Sequence, residues 1–260
     1  MWKIFKYSFF DLLRSRWTYF YFLFFMIVTA GLLHLSGQVA AAITSLLNIV
    51  VVLIPLISTL YGIVYFYNSS EFTELLLAQP VRRRSIFLGQ YLGLFTSLAA
   101  SFLLGILIPA IFLGHFEVRL WLDLFYLLGI GTLLTAIFTA IAFLIALRQT
   151  NRMKGFAIAI LTWLFLAVLY DGLFIIFLLF FEDYPLEKFS LIATVLNPID
   201  LSRTSLLLKL DMAALMGYTG AVFNKFFGTS MGMLVSISAL VLWVVGPLLG
   251  FLRVAARKDF

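Results

Sequence analysis

The chain contains no cysteine. That removes disulfide frameworks, thiolate metal sites and a cysteine nucleophile together. It holds only two histidines, and Asp, Glu, Lys and Arg make up just 12% of it, where soluble domains carry roughly 25%. No G-x-x-x-x-G-K-[ST] run occurs, since none of the seven lysines follows a glycine. A P-loop needs that pattern, because its glycine-rich backbone cradles phosphates while the lysine reaches the outer pair. ATP binding by that motif is therefore excluded. What the chain has in excess is apolar surface: 63% of its 260 residues are hydrophobic and mean hydropathy is +1.10. A soluble core of this size cannot hide so much apolar area, so the solvent is a bilayer. The net charge of +6 is explained by loop placement and not by a nucleic-acid surface.

Stretches free of Asp, Glu, Lys and Arg mark the spans, at 17–70, 85–116, 124–147, 155–170 with 172–181 beyond Asp171, and 226–252. A spanning helix needs about 20 apolar residues. The first stretch is long enough for two, with His34, Ser36, Gly37 and Gln38 reading as a turn between them. The expectation is an all-α, polytopic membrane protein of one transmembrane domain over 1–260. Its six helices fall at about 17–35, 43–67, 86–113, 121–147, 156–181 and 230–252.

The basic residues orient it. With the N-terminus inside, thirteen lie on inner segments: Lys3, Lys6, Arg14, Arg16, Arg82, Arg83, Arg84, Arg148, Arg152, Lys154, Arg253, Arg257 and Lys258. Five lie outside: Arg119, Lys188, Arg203, Lys209 and Lys225. Both termini are expected in the cytoplasm. The apolar stretch after Arg16 is also far longer than the h-region of a cleaved signal peptide.

Residues 1–16 are amphipathic, with Trp2, Phe5, Phe9, Leu12 and Leu13 on one face and Lys3, Lys6, Asp11 and Arg14 elsewhere on the wheel. Such a helix lies in the headgroup plane before the chain enters the bilayer. Residues 182–229 form the largest segment outside the spans. Apolar patches there are broken by Lys209, Asp211 and Gly217, which suggests short helices lying on or dipping into the outer leaflet.

Between the second and third spans lies EFTELLLAQPVRRRS, residues 71–85. Glu71 and Glu74 sit near the start of a short helix, where the helix dipole favours negative charge. Phe72, Leu75 and Leu76 follow at i, i+3 and i+4 and form one apolar face. Pro80 ends the helix and biases Gln79 away from it. The three arginines then hold the third span at the headgroups. An apolar ridge on a two-turn cytoplasmic helix either takes a protein partner or rests on the membrane.

The string E-x-x-E-L-L-L-A-x-P-V-x-R, carried by Glu71, Glu74, Leu75, Leu76, Leu77, Pro80, Val81 and Arg83, resembles the coupling helix of type-2 ATP-binding-cassette exporter permeases. In that family this helix docks onto the nucleotide-binding subunit. The chain departs from the pattern in carrying Arg82 and Arg84 around Arg83. The family also has six spans, an N-terminal elbow helix and re-entrant helices before the last span. Residues 196–228, with their N-P-x-D and G-Y-T-G-A-V-F tokens, and YDGLF at 170–174 are similar to the Nos-type permeases. The resemblance implies a homodimer and a separate cytoplasmic ATPase that binds ATP and Mg, with no cofactor in this chain. It also implies a periplasmic β-helical accessory protein, in service of the copper–sulfide site of nitrous oxide reductase. The coupling residues would be Glu71, Phe72, Glu74, Leu75, Leu76, Pro80 and Arg83. A permease for a lipid, drug or polysaccharide, and a membrane scaffold without transport, are the other readings.

Asp171 is the acid that lies deep inside a span. A carboxylate at the bilayer centre costs about 2.5–3.5 kcal/mol on insertion scales, so it should face protein or a cavity, either on a transmembrane path or in a dimer seam. His34 and His115 lack ligand spacing, and Met212 with Met216 at i, i+4 reads as packing before Cu(I) ligation. No metal site is expected. Asp200, Arg203, Lys209 and Asp211 mix charge with apolar neighbours, which suits a docking surface for the periplasmic partner. No catalytic constellation is present. Three G-x-x-x-G pairs, at Gly89/Gly93, Gly228/Gly232 and Gly246/Gly250, permit close helix packing but also arise by chance in glycine-rich spans.

Overall fold

The computed structural model describes residues 1–114, 117–181, 187–210 and 230–257. Among them every element is helical and none is a strand. In chain order they are α1 (Trp2–Leu13), α2 (Arg16–Leu35), α3 (Val39–Asn68), α4 (Ser70–Leu77), α5 (Arg83–Leu113), α6 (Val118–Arg148) and α7 (Arg152–Leu164). A π-helical turn (Phe165–Leu169) leads into α8 (Tyr170–Phe180), followed by α9 (Glu187–Leu196), α10 (Pro198–Lys209) and α11 (Ser230–Arg257). Six helices are long and apolar enough to cross a membrane: Arg16–Leu35, Val39–Asn68, Arg83–Leu113, Val118–Arg148, Arg152–Phe180 and Gly232–Ala256. The second to fifth begin a few residues before their expected starts and the sixth runs on to Ala256, while the first and third end where expected, at Leu35 and Leu113. The helix carries on through Arg83, Arg84 and Arg148 because long basic side chains keep their heads in the polar layer while the backbone stays paired.

Local chemistry sets the breaks. Gly37 lies at φ 64° between α2 and α3, a left-handed turn that side chains with a Cβ adopt at a cost. Asn151 caps α7, its Oδ1 accepting from the backbone N–H groups of Met153 and Lys154 at 2.9 and 3.3 Å. Pro55 lies inside α3, where the Thr59 hydroxyl donates to the Pro55 carbonyl at 2.6 Å.

α6 lies at the centre of the bundle, against α3, α5, α7, α10 and α11. The core around it holds fully buried phenylalanines, Phe138 and Phe143 from α6 itself and Phe25, Phe87, Phe102 and Phe251 from α2, α5 and α11. Phe143 meets Phe251 edge-to-face with centroids 5.5 Å apart, and Phe25 meets Phe102 likewise at 5.1 Å. The fifth span is different. Along α7, the π turn and α8, only Gly155, Ala159 and Ala167 are buried.

The amphipathic N-terminal helix α1 is seated on α5, and the seat is glycine. A Cβ on Gly93 would lie 2.6 Å from Ser8 Cβ, and one on Gly89 would lie 3.0 Å from Ile4 Cβ. The Gly89/Gly93 pair therefore admits a helix backbone. The Gly246/Gly250 pair has the same spacing and does not do this. Gly246 has nothing within 4 Å of a Cβ position, and Gly250 meets Leu144 only at ordinary contact distance.

Candidate functional site

Two places combine the residues singled out from sequence. The first is α4. Its inner side is held by a polar pin, in which the Gln90 Nε2 amide of α5 donates to Thr73 Oγ1 at 2.8 Å. The Thr73 hydroxyl itself donates to the Ser69 carbonyl at 2.7 Å. Both Thr73 and Gln90 are buried. The expected apolar ridge is divided. Phe72 turns toward α1 and stacks on Tyr7 with centroids 4.8 Å apart, so it has a role within the chain. Leu76 is half-buried, while Leu75 stands out, 68% exposed. Glu71, Glu74 and Pro80 are exposed, and Arg83 opens α5. The helix ends at Leu77, before Pro80, as the Ala78 and Gln79 N–H groups close back onto Glu74 and Leu76.

The second place joins the fifth span to the segment that follows it. α9 and α10 form a pair bent by 113°, and Asn197 stands at the bend. Its Oδ1 accepts from the Ile199 N–H at 3.0 Å and so caps α10, with Pro198 in the first turn. Its Nδ2 donates to the Leu166 carbonyl at 2.8 Å, inside the π turn. A π turn shifts the backbone register, and a carbonyl it leaves needs another donor. One buried amide thus serves two helices. Tyr170 adds a second tie, its hydroxyl donating to the Ala193 carbonyl of α9 at 2.7 Å.

A third tie is ionic. Arg203 Nη1 donates to Asp171 Oδ2 at 2.6 Å, and Asp200 Oδ1 lies 3.8 Å from the same nitrogen. Asp171 Oδ1 is buried and finds no hydrogen-bond partner among the described residues. Burial, with the Asp171 carboxyl alongside, raises the Asp200 acid to about 8, against the pull of Arg203. Two acids share one guanidinium, and burial holds the Asp200 carboxyl toward its protonated form.

Sequence reasoning singles out Asp171 within the membrane, although Asp123, buried near the start of α6, is a second acid on a spanning helix. The structure shows which cation answers it. Asp200 and Arg203, expected on an outer docking surface, are turned into this cluster, while Lys209 is half-buried at the end of α10. Asp211, Met212, Met216 and His115 lie outside the described residues. His34 is exposed in the last turn of α2. Among the described residues no group of three or more His, Asp or Glu side chains comes together as a metal site. Sequence reasoning missed Asn197, Tyr170, Thr73 and Gln90. The signal for Asn197 was present in part, since Asn followed by Pro is a helix-start pattern. Nothing local announces its second bond.

The six apolar helices and their buried polar ties define a multi-pass helical membrane protein. No protein-family model matches the chain. Two curated proteins are similar to it, each named "Probable ABC transporter permease protein NosY". That of Pseudomonas aeruginosa is 27% identical over 238 residues, covering 82% of this chain and 84% of the relative. That of Stutzerimonas stutzeri is 26% identical over 265 residues, covering 94% and 91%. The chain is thus a distant homologue of Nos-type ABC transporter permeases along most of its length. The likeness supports a permease subunit of an ABC transporter, a class of subunit that works with a cytoplasmic ATPase.

Proposed function

We propose that this chain is the membrane-spanning half of an ATP-driven transporter serving maturation of the copper–sulfide site of nitrous oxide reductase. The observation that carries the reading is the near full-length likeness to two Nos-type permeases. The exposed Leu75 on a pinned cytoplasmic helix supports it independently. A separate ATPase, holding ATP and Mg, docks on α4 beside Glu71, Glu74, Leu75, Leu76, Pro80 and Arg83. Nucleotide-driven closure of that partner moves α4 and α5. The motion reaches the outer side as export of a maturation substrate or as a signal to a periplasmic accessory protein. Both termini are cytoplasmic.

A homodimer completes the permease. The fifth span buries almost nothing against its own chain. Its Asp171, although paired with Arg203, keeps 27% of its side chain exposed, and a carboxylate within a span needs protein or water over that remaining part. A second copy along this span, or a path between copies, meets that need.

The test is copurification from native membranes. A bound ATPase with vanadate-sensitive hydrolysis, and loss of copper–sulfide site assembly on deletion of the chain, are expected. An ATPase partner with no effect of deletion on the reductase would move the chain to an exporter of another cargo. Absence of any ATPase would leave only a membrane scaffold.

A further inference from the structure

The junction of α1, α2 and α3 carries two adjoining open cavities. One, of about 580 Å³, runs along α1 and is lined by Lys3, Lys6, Tyr7, Phe10, Asp11 and Arg14. The other, of about 330 Å³, shares Asp11 and Arg14 and continues to Trp17, Tyr61, Val64 and Asn68. Both volumes fall within the range of small-ligand sites, roughly 300–1,000 Å³. The floor of the second is fixed, since the Tyr61 hydroxyl donates to Ser15 Oγ at 3.0 Å and lies 3.3 Å from Thr18 Oγ1.

The charge in this groove is unbalanced. Lys3, Lys6 and Arg14 line it against the single acid Asp11. Among the described residues none of the three cations is held in an ion pair. The apolar side is equally unsatisfied, as Trp2, Tyr7, Phe10 and Trp17 are all exposed. Cations beside exposed aromatic rings, at the point where a surface helix turns into the first span, face the headgroup layer of a bilayer.

We propose that this groove is a binding site for one anionic phospholipid. The phosphate sits between Lys6 and Arg14, where a planar guanidinium grips two phosphate oxygens. Asp11 accepts from a free hydroxyl of the headgroup, which favours phosphatidylglycerol over a headgroup without one. The acyl chains leave over Trp17 and Val64 along the first two spans. The site touches α4 through one residue, because Tyr7 lines the groove and stacks on Phe72. The inference does not depend on the cargo of the transporter.

The test uses the full chain, purified in a neutral detergent and titrated separately with phosphatidylglycerol, phosphatidylethanolamine and inorganic phosphate. Thermal unfolding and lipid retention in native mass spectrometry are read together. Phosphatidylglycerol is expected to raise Tm saturably and to survive as a one-lipid adduct. Neither phosphatidylethanolamine nor inorganic phosphate should match it at equal concentration. Arg14→Gln and Lys6→Gln, both on exposed positions, should each raise the half-saturating lipid concentration about tenfold. Lys154→Gln, a basic residue at the start of α7, should not change it. A phosphate effect equal to the lipid effect would make this a free-anion site and overturn the proposal. So would an equal response to phosphatidylethanolamine, or an Arg14→Gln protein that responds as the wild type does.

Discussion

Arg203 reaches across 32 positions of sequence to place its guanidinium nitrogen 2.6 Å from a carboxylate oxygen of Asp171. The acid of the fifth span is therefore answered by the helix that follows the bend at Asn197, and the two must stay in register for either charge to be tolerated away from water. Removing one partner strands the other, whereas replacing both with neutral groups strands neither. Arg203→Ala is expected to cost about 1–3 kcal/mol, read as a fall in Tm in detergent. Asp171→Asn combined with Arg203→Gln should recover part of the loss. Strictly additive single and double variants would show that the contact carries no coupling energy.

Asp200 gives a pH dependence with a definite sign. Its folded-state acid is raised from 3.8 to about 8, so the native protein holds a proton that the unfolded chain releases. The associated stability is fully present below about pH 4 and is lost as pH rises through about 8. Asp200→Asn keeps the position neutral throughout. Between pH 5 and 8 the Tm of the wild type should fall more steeply than that of the variant. Parallel curves would mean that Asp200 ionises as readily in the native protein as in the unfolded chain.

Leu75 is exposed on a helix whose one aromatic ring, Phe72, is already occupied by Tyr7. Leu75→Asp should leave insertion and Tm unchanged and abolish copurification of the ATPase. Phe72→Asp should behave differently, lowering Tm as well, because it disrupts a contact inside the chain. If the Leu75→Asp complex assembles and hydrolyses ATP normally, the partner docks elsewhere.

Gly93 and Gly246 offer a matched pair. Alanine is favoured over glycine in a helix by about 1 kcal/mol. At Gly93 the added methyl would meet Ser8 Cβ at 2.6 Å, while at Gly246 it would meet nothing within 4 Å. Gly93→Ala is expected to lower Tm, with overpacking costs of about 1–3 kcal/mol, and Gly246→Ala to leave it level or higher. The reverse order would show that α1 is not seated on α5 as described.

Much of this architecture was legible from the chain itself. Runs without charge gave the spans, because each must match the thickness of a bilayer. The short helix at Ser70–Leu77 was legible because its acids, apolar spacing and following proline are all local signals. Gly89/Gly93 and Gly246/Gly250 were not distinguishable, since the same spacing is a seat in one place and open surface in the other, and only the approach of a second helix decides. The π turn at Phe165–Leu169 was hidden for a related reason. No proline or glycine marks it, and its displaced carbonyl is satisfied by Asn197, 31 positions away. The pairing of Asp171 with Arg203 was equally silent, because Asp171 in YDGLF and Arg203, three residues past NPID, lie 32 positions apart and nothing local brings them together.

The seating of α1 on bare glycine backbone has a mechanical meaning. With Ser8 and Ile4 set directly against α5, and Tyr7 clasping Phe72, α1, α4 and the first turns of α5 are packed together as one plate. If the ATPase bears on Leu75 as proposed, its force would not tip a lone rod. It would drag a broad amphipathic paddle along the bilayer surface, so the stiffness and lateral pressure of the surrounding lipid would enter the work done by the motor. The same ATPase should then turn over at different rates in membranes of different surface tension, even when its own nucleotide sites are unchanged.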